Sequence, residues 1–332
     1  MKITPEGINN MYDLVALGEL LIDYTPLPCT SDGKSVFEQN PGGAPANVLV
    51  CAAKLGLATA IIGKVGDDMQ GQCIIQTLCK DNVDTSGLIV DPKYFTTLAF
   101  ISLDENGERK FSFARKPGAD TQLTAGEVDM SLLSGAKVFH FGSLSLTDQP
   151  SRDATIYAVR AARDNGAVIS YDPNYRDKLW SCRQAAETQM RAVLPYVDML
   201  KISEEETELI TGFAEPADAA RELIDNGIGC AVITLGERGA FIAVRGENGI
   251  ISRTVRGFVS DVVDTTGAGD AFWGGFLTQF IKGGKKLTDL TIDELVQYVK
   301  YGNAVASLCV ERRGGIPAMP EMIAVQKRLL SM

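Results

Sequence analysis

The sequence predicts an α/β fold, a mostly parallel sheet covered by helices on both faces, with a small β lid attached. Three observations carry that expectation. Strand-like and helix-like segments alternate almost from end to end, as they do where parallel strands are joined by helical crossovers. The 332 residues are 45% hydrophobic with no low-complexity tract, which suits one large core or two ordinary domains. A single stretch, 96–115, switches to a two-residue period around Asn106-Gly107, a strong hairpin turn signal.

In chain order, "YDLVALG" (12–18) reads as a buried strand and "NVLVCAAKLG" (47–56) as an apolar helix closed by Gly56. "ATAIIGKVG" (58–66) is a strand and "MQGQCIIQTLCKDN" (69–82) an amphipathic helix. "AKVFHFG" (136–142), the helix "RDATIYAVRAARDNG" (152–166) and "AVISYDPN" (167–174) continue the alternation. "VDMLKIS" (197–203), "CAVITLG" (230–236) and "GAFIAV" (239–244) follow as strands, with helices between most of them. The polar, turn-rich "TPLPCTSDGKSVFEQNPGG" (25–43) is expected to add a strand to the hairpin lid. No linker or internal repeat divides the chain. We therefore expect one domain over 1–332, with lid strands inserted at about 25–40 and 94–115.

Bulk properties narrow the function. A formal net charge of −10 argues against nucleic acid or an anionic membrane as the main partner. No apolar run is long enough to span a bilayer, and "MKITPEGINNMYDLV" has no signal-peptide core. The seven cysteines (29, 51, 73, 79, 182, 230 and 309) form no C-x-x-C pair, and their odd number suggests reduced thiols in a cytoplasmic protein. One histidine, His140, argues against a Ser-His-Asp triad or a multi-histidine metal site, and it reads as a core or pocket residue. Acid–base work then falls to a carboxylate or a lysine.

The most informative segment is "VVDTTGAGDAFWGGF" (262–276). Gly267, Ala268 and Gly269 form a small-residue turn heading a helix, where bare N–H groups and the helix dipole attract an anion. Asp270 comes next, a carboxylate on the rim of an anion site. A phosphoryl group at the turn reconciles the two, with Asp270 facing the attacking group as its base. The helix start favours the ionised form, so Asp270 should be deprotonated at neutral pH and of modest basicity. By itself the pattern also fits an ordinary acid near a helix start. Ala271, Gly274 and Gly275 would let this helix approach other backbone closely.

Other segments each admit two readings. "NPGGAPANV" places Gly42 and Gly43 before Pro45, with Asn47 one turn in, as a tight helix start or a second ligand turn. "GELLIDYTP" puts Glu19 and Asp23 near a strand end, where open α/β sheets bind ligands and where surface acids are also common. "SYDPNYR" ends a strand with Asp172, Asn174 and Arg176, the arginine suited either to a phosphate clamp or to a surface ion pair. In "LKISEEETELI", Ser203 and Glu206 form an S-x-x-E capping box, which competes with a role for Glu206 near hydrated magnesium. A G-x-x-x-x-G-K-[ST] P-loop is absent, and no G-x-G-x-x-G follows the first strand.

Together, "PGGAPANVLVCAAKLG" and "DTTGAGDAFWGGF" resemble the two signature motifs of the ribokinase-like (PfkB-type) carbohydrate kinases, in the family's order. "GELLID", "IGKVGDD", "LAFISLDENGERKFSFAR", "AKVFHFGSLSL", "SYDPNYR" and "LKISEEE" are similar to the fructokinases within it. The resemblance spans nearly the whole chain. It implies a ribokinase-like three-layer fold and ATP-dependent phosphorylation of D-fructose to fructose 6-phosphate. Asp270 would be the base, and Gly267, Ala268 and Gly269 the anion hole. Asp23, Gly42, Gly43 and Asn47 would bind the sugar, Phe111 and Phe113 would cover it, and Arg176 would reach sugar or phosphates. Thr234, Gly236, Gly239, Asn303 and Ser307 would contact the nucleotide. Mg²⁺ would bridge the phosphates, with Glu206 acting through water, and Asp264 and Thr266 would help hold K⁺. The chain departs from the family's N-x-x-E by carrying Ser203-x-x-Glu206. Relatives pair through their lids, so a homodimer is an expectation. The same chemistry could serve 2-keto-3-deoxygluconate, ribose or a nucleoside. A non-catalytic sugar- or nucleotide-binding regulator would lack the base, and Asp270 is present.

Overall fold

The computed structural model describes residues 12–103, 109–247 and 249–330, with the backbone alone for 102–103 and 109–111. Thirteen strands are described: β1 (Leu14–Leu17), β2 (Leu21–Leu27), β3 (Val36–Gly42), β4 (Thr59–Gly66), β5 (Val83–Asp91), β6 (Thr97–Leu103) and β7 (Arg109–Ala114), then β8 (Val138–Gly142), β9 (Val168–Asp172), β10 (Met199–Ser203), β11 (Cys230–Thr234), β12 (Ala240–Gly246) and β13 (Gly249–Val255). Nine of them form one sheet in the order β13-β12-β11-β10-β9-β8-β1-β4-β5. Every pair from β11 through β5 is parallel, and β12 and β13 extend it antiparallel.

Side-chain parity explains the layers. In β1, Leu14 and Ala16 enter one core while Val15 and Leu17 enter the other. In β11, Cys230 and Val232 take the first face, and Ala231 and Ile233 the second. Helices Ala44–Lys54, Ala268–Gly283 and Ile292–Cys309 cover the first face. Ser151–Asp164, Arg183–Ala192 and Pro216–Asp225 cover the second. Strands buried on both faces read as nearly continuous apolar runs, which is why β1, β4 and β8 were visible in sequence. His140 is one of the few polar residues there, buried at 1% exposure with Nδ1 3.0 Å from the Ser170 hydroxyl. Burial lowers its pKa to about 3, so it is a neutral core residue.

A second sheet of four strands, β3-β2-β6-β7, stands apart from the nine. The expected 96–115 hairpin is its β6–β7 pair, and the Asn106-Gly107 turn lies outside the described residues. The sheet is larger than the sequence suggested, because residues 21–27 and 36–42 each contribute a strand. Asp23 therefore sits inside β2 rather than at the end of β1. Two strands of the large sheet, β5 and β13, were also not anticipated. β13 largely alternates half-buried and exposed side chains, β5 is mostly half-buried, and "VDTSGLIVD" reads as a turn-prone segment. Among the described residues no helix is long and apolar enough to cross a membrane.

Candidate active site

Two glycine turns, far apart in sequence, start helices that converge on one point. At the first, Gly43 has φ 118°, and a Cβ there would lie 2.2 Å from the Glu19 carbonyl oxygen. Only glycine fits such a position. Pro45 follows in the first helical turn, and the Ala44 N–H donates to Glu19 Oε1 at 2.8 Å. At the second, Gly267 has φ 76° and packs against Gly315, where a Cβ would lie 3.1 Å from the Gly315 Cα. Further along that helix, a Cβ on Gly274 would meet Cys51 at 2.8 Å, and one on Gly275 would meet Val305 at 2.8 Å. The small residues therefore allow the close packing expected of them. As a result Asn47 Nδ2 donates to Asp270 Oδ2 at 2.8 Å, across 223 residues of chain.

Two cavities meet at this helix start. The first, about 620 Å³, is lined by Glu19, Asp23, Gly43, Asn47, Phe113, Arg176, Lys201, Thr266, Gly267 and Asp270, among others. The second, about 820 Å³, is lined by Thr234, Gly236, Gly239, Phe272, Asn303 and Ser307, with the Val259 segment at its rim. Thr265, Ala268 and Gly269 line both. A ligand in each would touch the other's at the anion turn. That is the layout needed for transfer of a group between two molecules.

The remaining residues singled out in sequence are placed around these cavities. Gly42 lies behind Asp23, and a Cβ there would be 3.0 Å from Asp23 Oδ2. Arg176 is exposed at the mouth of the first cavity, its Nη1 donating to the Tyr175 carbonyl at 2.9 Å. The Phe111 side chain lies outside the described residues. Asp264 is buried and accepts from the N–H groups of Thr266 (2.8 Å) and Gly314 (3.0 Å). Glu206 is buried behind the first cavity, where its two oxygens accept from Tyr175 N–H (2.6 Å) and Ser203 N–H (2.7 Å). The capping box read from the sequence is formed. Asn303 donates to the carbonyls of Val255 (3.2 Å) and Arg256 (3.1 Å), and the Ser307 hydroxyl donates to Ala304 O at 2.7 Å. Gly239, at φ 97°, packs so closely that a Cβ would lie 2.1 Å from the Val255 carbonyl oxygen.

The electrostatics of the first cavity differ from the sequence expectation. Burial raises the Asp270 pKa to about 6, and the nearby Asp172 pushes the same way, against the opposing pull of Lys201, Asn47 and Arg176. The helix dipole does not hold this carboxylate at an ordinary acidity. Asp270 is mostly ionised at pH 7 and more basic than the sequence implied. Burial also raises Asp23 to about 6 and Glu19 to about 7. Glu19 Oε2 and Asn47 Oδ1 are buried with no hydrogen-bond partner among the described residues, although both side chains belong to the lining of this cavity.

Two groups at this site were missed as functional candidates. Lys201 is buried inside a strand, bonded at 2.7 Å to Asp172, with its ammonium against Gly269. The signal was available: a lysine within the apolar run "MLKIS" is costly to bury without a purpose. Glu19 was noted only for its position near a strand end.

The chain matches the model of the pfkB family of carbohydrate kinases over residues 11–322. It is 40% identical over 324 residues to a probable chloroplastic fructokinase-6 of Arabidopsis thaliana, covering 96% of this chain and 82% of that protein. Its fold is similar to a Xylella fastidiosa fructokinase with bound ATP, with TM-score 0.86, 30% identity, and 96% and 99% of the two chains covered. A Vibrio cholerae fructokinase double mutant, with fructose, ADP and potassium ion bound, gives TM-score 0.84 and 34% identity, with 96% and 98% covered.

Proposed function

The chain belongs to the pfkB family of carbohydrate kinases, and we propose that it is a fructokinase, moving the γ-phosphate of ATP to the 6-hydroxyl of D-fructose. The observation that carries the reading is Asp270, a buried carboxylate of raised pKa at the turn shared by two cavities. D-fructose occupies the first cavity. Its hydroxyl groups bond to Asp23 and to the Asn47 amide, with Gly42 and Gly43 shaping the wall and Phe113 covering the apolar side. Arg176 closes the mouth. ATP lies in the second cavity against Thr234, Gly236, Gly239, Asn303 and Ser307.

As the sugar oxygen attacks the γ-phosphorus, its proton passes to Asp270, and the bond to the bridging oxygen breaks to release ADP. The N–H groups at Gly267 and Gly269 receive the charge on the migrating phosphoryl, joined by that of Ala268 once it gives up its 3.2 Å bond to the Thr265 carbonyl. Mg²⁺ bound to the triphosphate would supply neutralisation of its phosphate charge. Glu206 lines neither cavity and both its oxygens accept from backbone N–H groups, so it would act on that ion only through water. Asp264 and Thr266 would help hold K⁺, where the negative charge of a buried carboxylate would suit a monovalent cation.

The proposal treats residues 1–332 as one kinase domain with the four-stranded sheet as its lid. It includes a homodimer through that lid, supported by the exposed rings of Phe37 and Phe100, the latter stacked on Tyr24 at 5.2 Å. A cytoplasmic setting is supported by seven free cysteines.

The test is ADP release with Mg·ATP across D-fructose, 2-keto-3-deoxygluconate, ribose and nucleosides. We expect the highest kcat/KM with D-fructose. A better acceptor among the others overturns the substrate, and sugar binding without ADP release overturns the kinase reading.

A further inference from the structure

We propose that Lys201 is a further catalytic residue of the phosphoryl transfer, a fixed ammonium set beneath the anion turn to take up the charge of the migrating group. The proposal deepens the kinase reading and rests on it.

The geometry begins in the sheet. Met199 opposes Ser170 and Leu200 opposes Tyr171 in parallel register, so Lys201 and Asp172 come next along the same two strands. Parity sends Lys201 to the face of Met199, which packs under helix Ala268–Gly283. Its side chain runs along that face and emerges at the carboxyl end of the sheet, where it lines the first cavity. Nζ donates to Asp172 Oδ2 at 2.7 Å. The pair is almost wholly withdrawn from solvent, with side-chain exposures of 7% and 2%.

The ammonium reaches the turn because residue 269 has no side chain. A Cβ built on Gly269 would lie 2.7 Å from Lys201 Nζ. Glycine at this position therefore serves the close approach of a positive charge as well as exposing N–H groups. Among the described residues Nζ makes one hydrogen bond, to Asp172, which leaves two N–H directions for a ligand. A bare ion pair buried this deep gives little net stability, since desolvation offsets its attraction. Its place in the first cavity, against the Gly269 that lines both cavities, gives it a chemical use.

The charge arithmetic supports that use. Asp270, Asp172, Asp23 and Asp264 surround the turn, and a triphosphate would add further negative charge. Without Lys201, only peptide dipoles and the exposed Arg176 would oppose several full charges. An ammonium under the turn offsets them, as cationic clamps do in phosphoryl transfer generally. Lys201 takes no proton in the step. It donates hydrogen bonds to the equatorial oxygens while the phosphorus–oxygen bond to the sugar forms and the one to ADP breaks. Its charge also lowers the Asp270 pKa, opposing burial and Asp172.

The test compares Lys201→Met, Asp172→Asn and the double variant Lys201→Met/Asp172→Asn with the parent, each measured for Tm, ATP and sugar KM, kcat, and kcat against pH. The single Lys201→Met change strands a buried carboxylate and can unfold the chain, whereas the double variant removes both charges. We expect the double variant to be folded, with Tm within a few degrees of the parent. Its kcat should fall by about 100-fold, with sugar KM changed less than threefold. The loss of both charges leaves Asp270 with neither the attraction nor the repulsion. In folded Lys201→Met, the acid limb of kcat should move upward. A folded double variant with kcat within threefold of the parent overturns the proposal. An inactive parent would instead overturn the kinase reading.

Discussion

On one side of the Gly267–Gly269 turn, the buried Glu19 and Asp270 and the half-buried Asp23 are carboxylates with pKa values raised to between about 6 and about 7. On the other side, Thr234, Asn303 and Ser307 are neutral, and their described hydrogen bonds include backbone carbonyl partners. The charged residues of that second cavity, Glu237 and Arg238, are exposed. The first cavity keeps ionisable groups under tension with their surroundings, whereas the second is built from glycine turns and satisfied polar groups. A molecule bound in the second needs shape and a few hydrogen bonds. A molecule bound in the first meets groups poised to exchange protons, so the chemistry belongs there.

That contrast predicts where substitutions act. The largest effect should come from Asp270→Asn. Its kcat should fall about 1000-fold, the range for losing a positioned base, while ATP affinity measured by calorimetry stays within twofold. A matched loss of ATP affinity would erase the distinction between the cavities. Next is Asp23→Ala, which removes a half-buried acceptor for sugar hydroxyls. Sugar KM should rise by about 10- to 100-fold with ATP KM unchanged, as steady-state kinetics with each substrate varied would reveal.

A third prediction uses stability rather than rate. The folded-state pKa of Asp270 lies above its unfolded value, 3.8 against about 6. The native state thus binds the extra proton, so this group's contribution to stability is full below about 4 and is lost as pH rises through about 6. Asp270→Asn should accordingly raise Tm at pH 8, by on the order of 5 °C, and raise it much less at pH 4.5. A gain independent of pH would show that the buried charge is not its source. The smallest effect should be Asn303→Ala, with ATP KM up about threefold and sugar kinetics unaltered, because one neutral contact is at stake.

Much of this was legible in the sequence. The two glycine turns, and Asn47 and Asp270 within them, were visible because helix starts with obligatory small residues leave a local signature. The β6–β7 hairpin was visible through its period of two. What was missed depends on through-space placement. Lys201 and Asp172 become partners only when β9 and β10 lie side by side. The basicity of Asp270 was underestimated because a helix start is read from neighbours in sequence, whereas its burial and the nearby Asp172 come from distant parts of the chain. The edge strands β5 and β13 were overlooked for the opposite reason, since half-exposed strands carry less apolar signal.

The central claim is that Asp270 works as a base whose affinity for protons is set by burial. Its most direct test is the pH dependence of kcat/KM for D-fructose between pH 5 and 9, at saturating Mg·ATP. The account predicts a plateau above pH 7 and an acid limb turning down near pH 6, about tenfold per unit once well below it. A rate that stays flat down to pH 5 would contradict it.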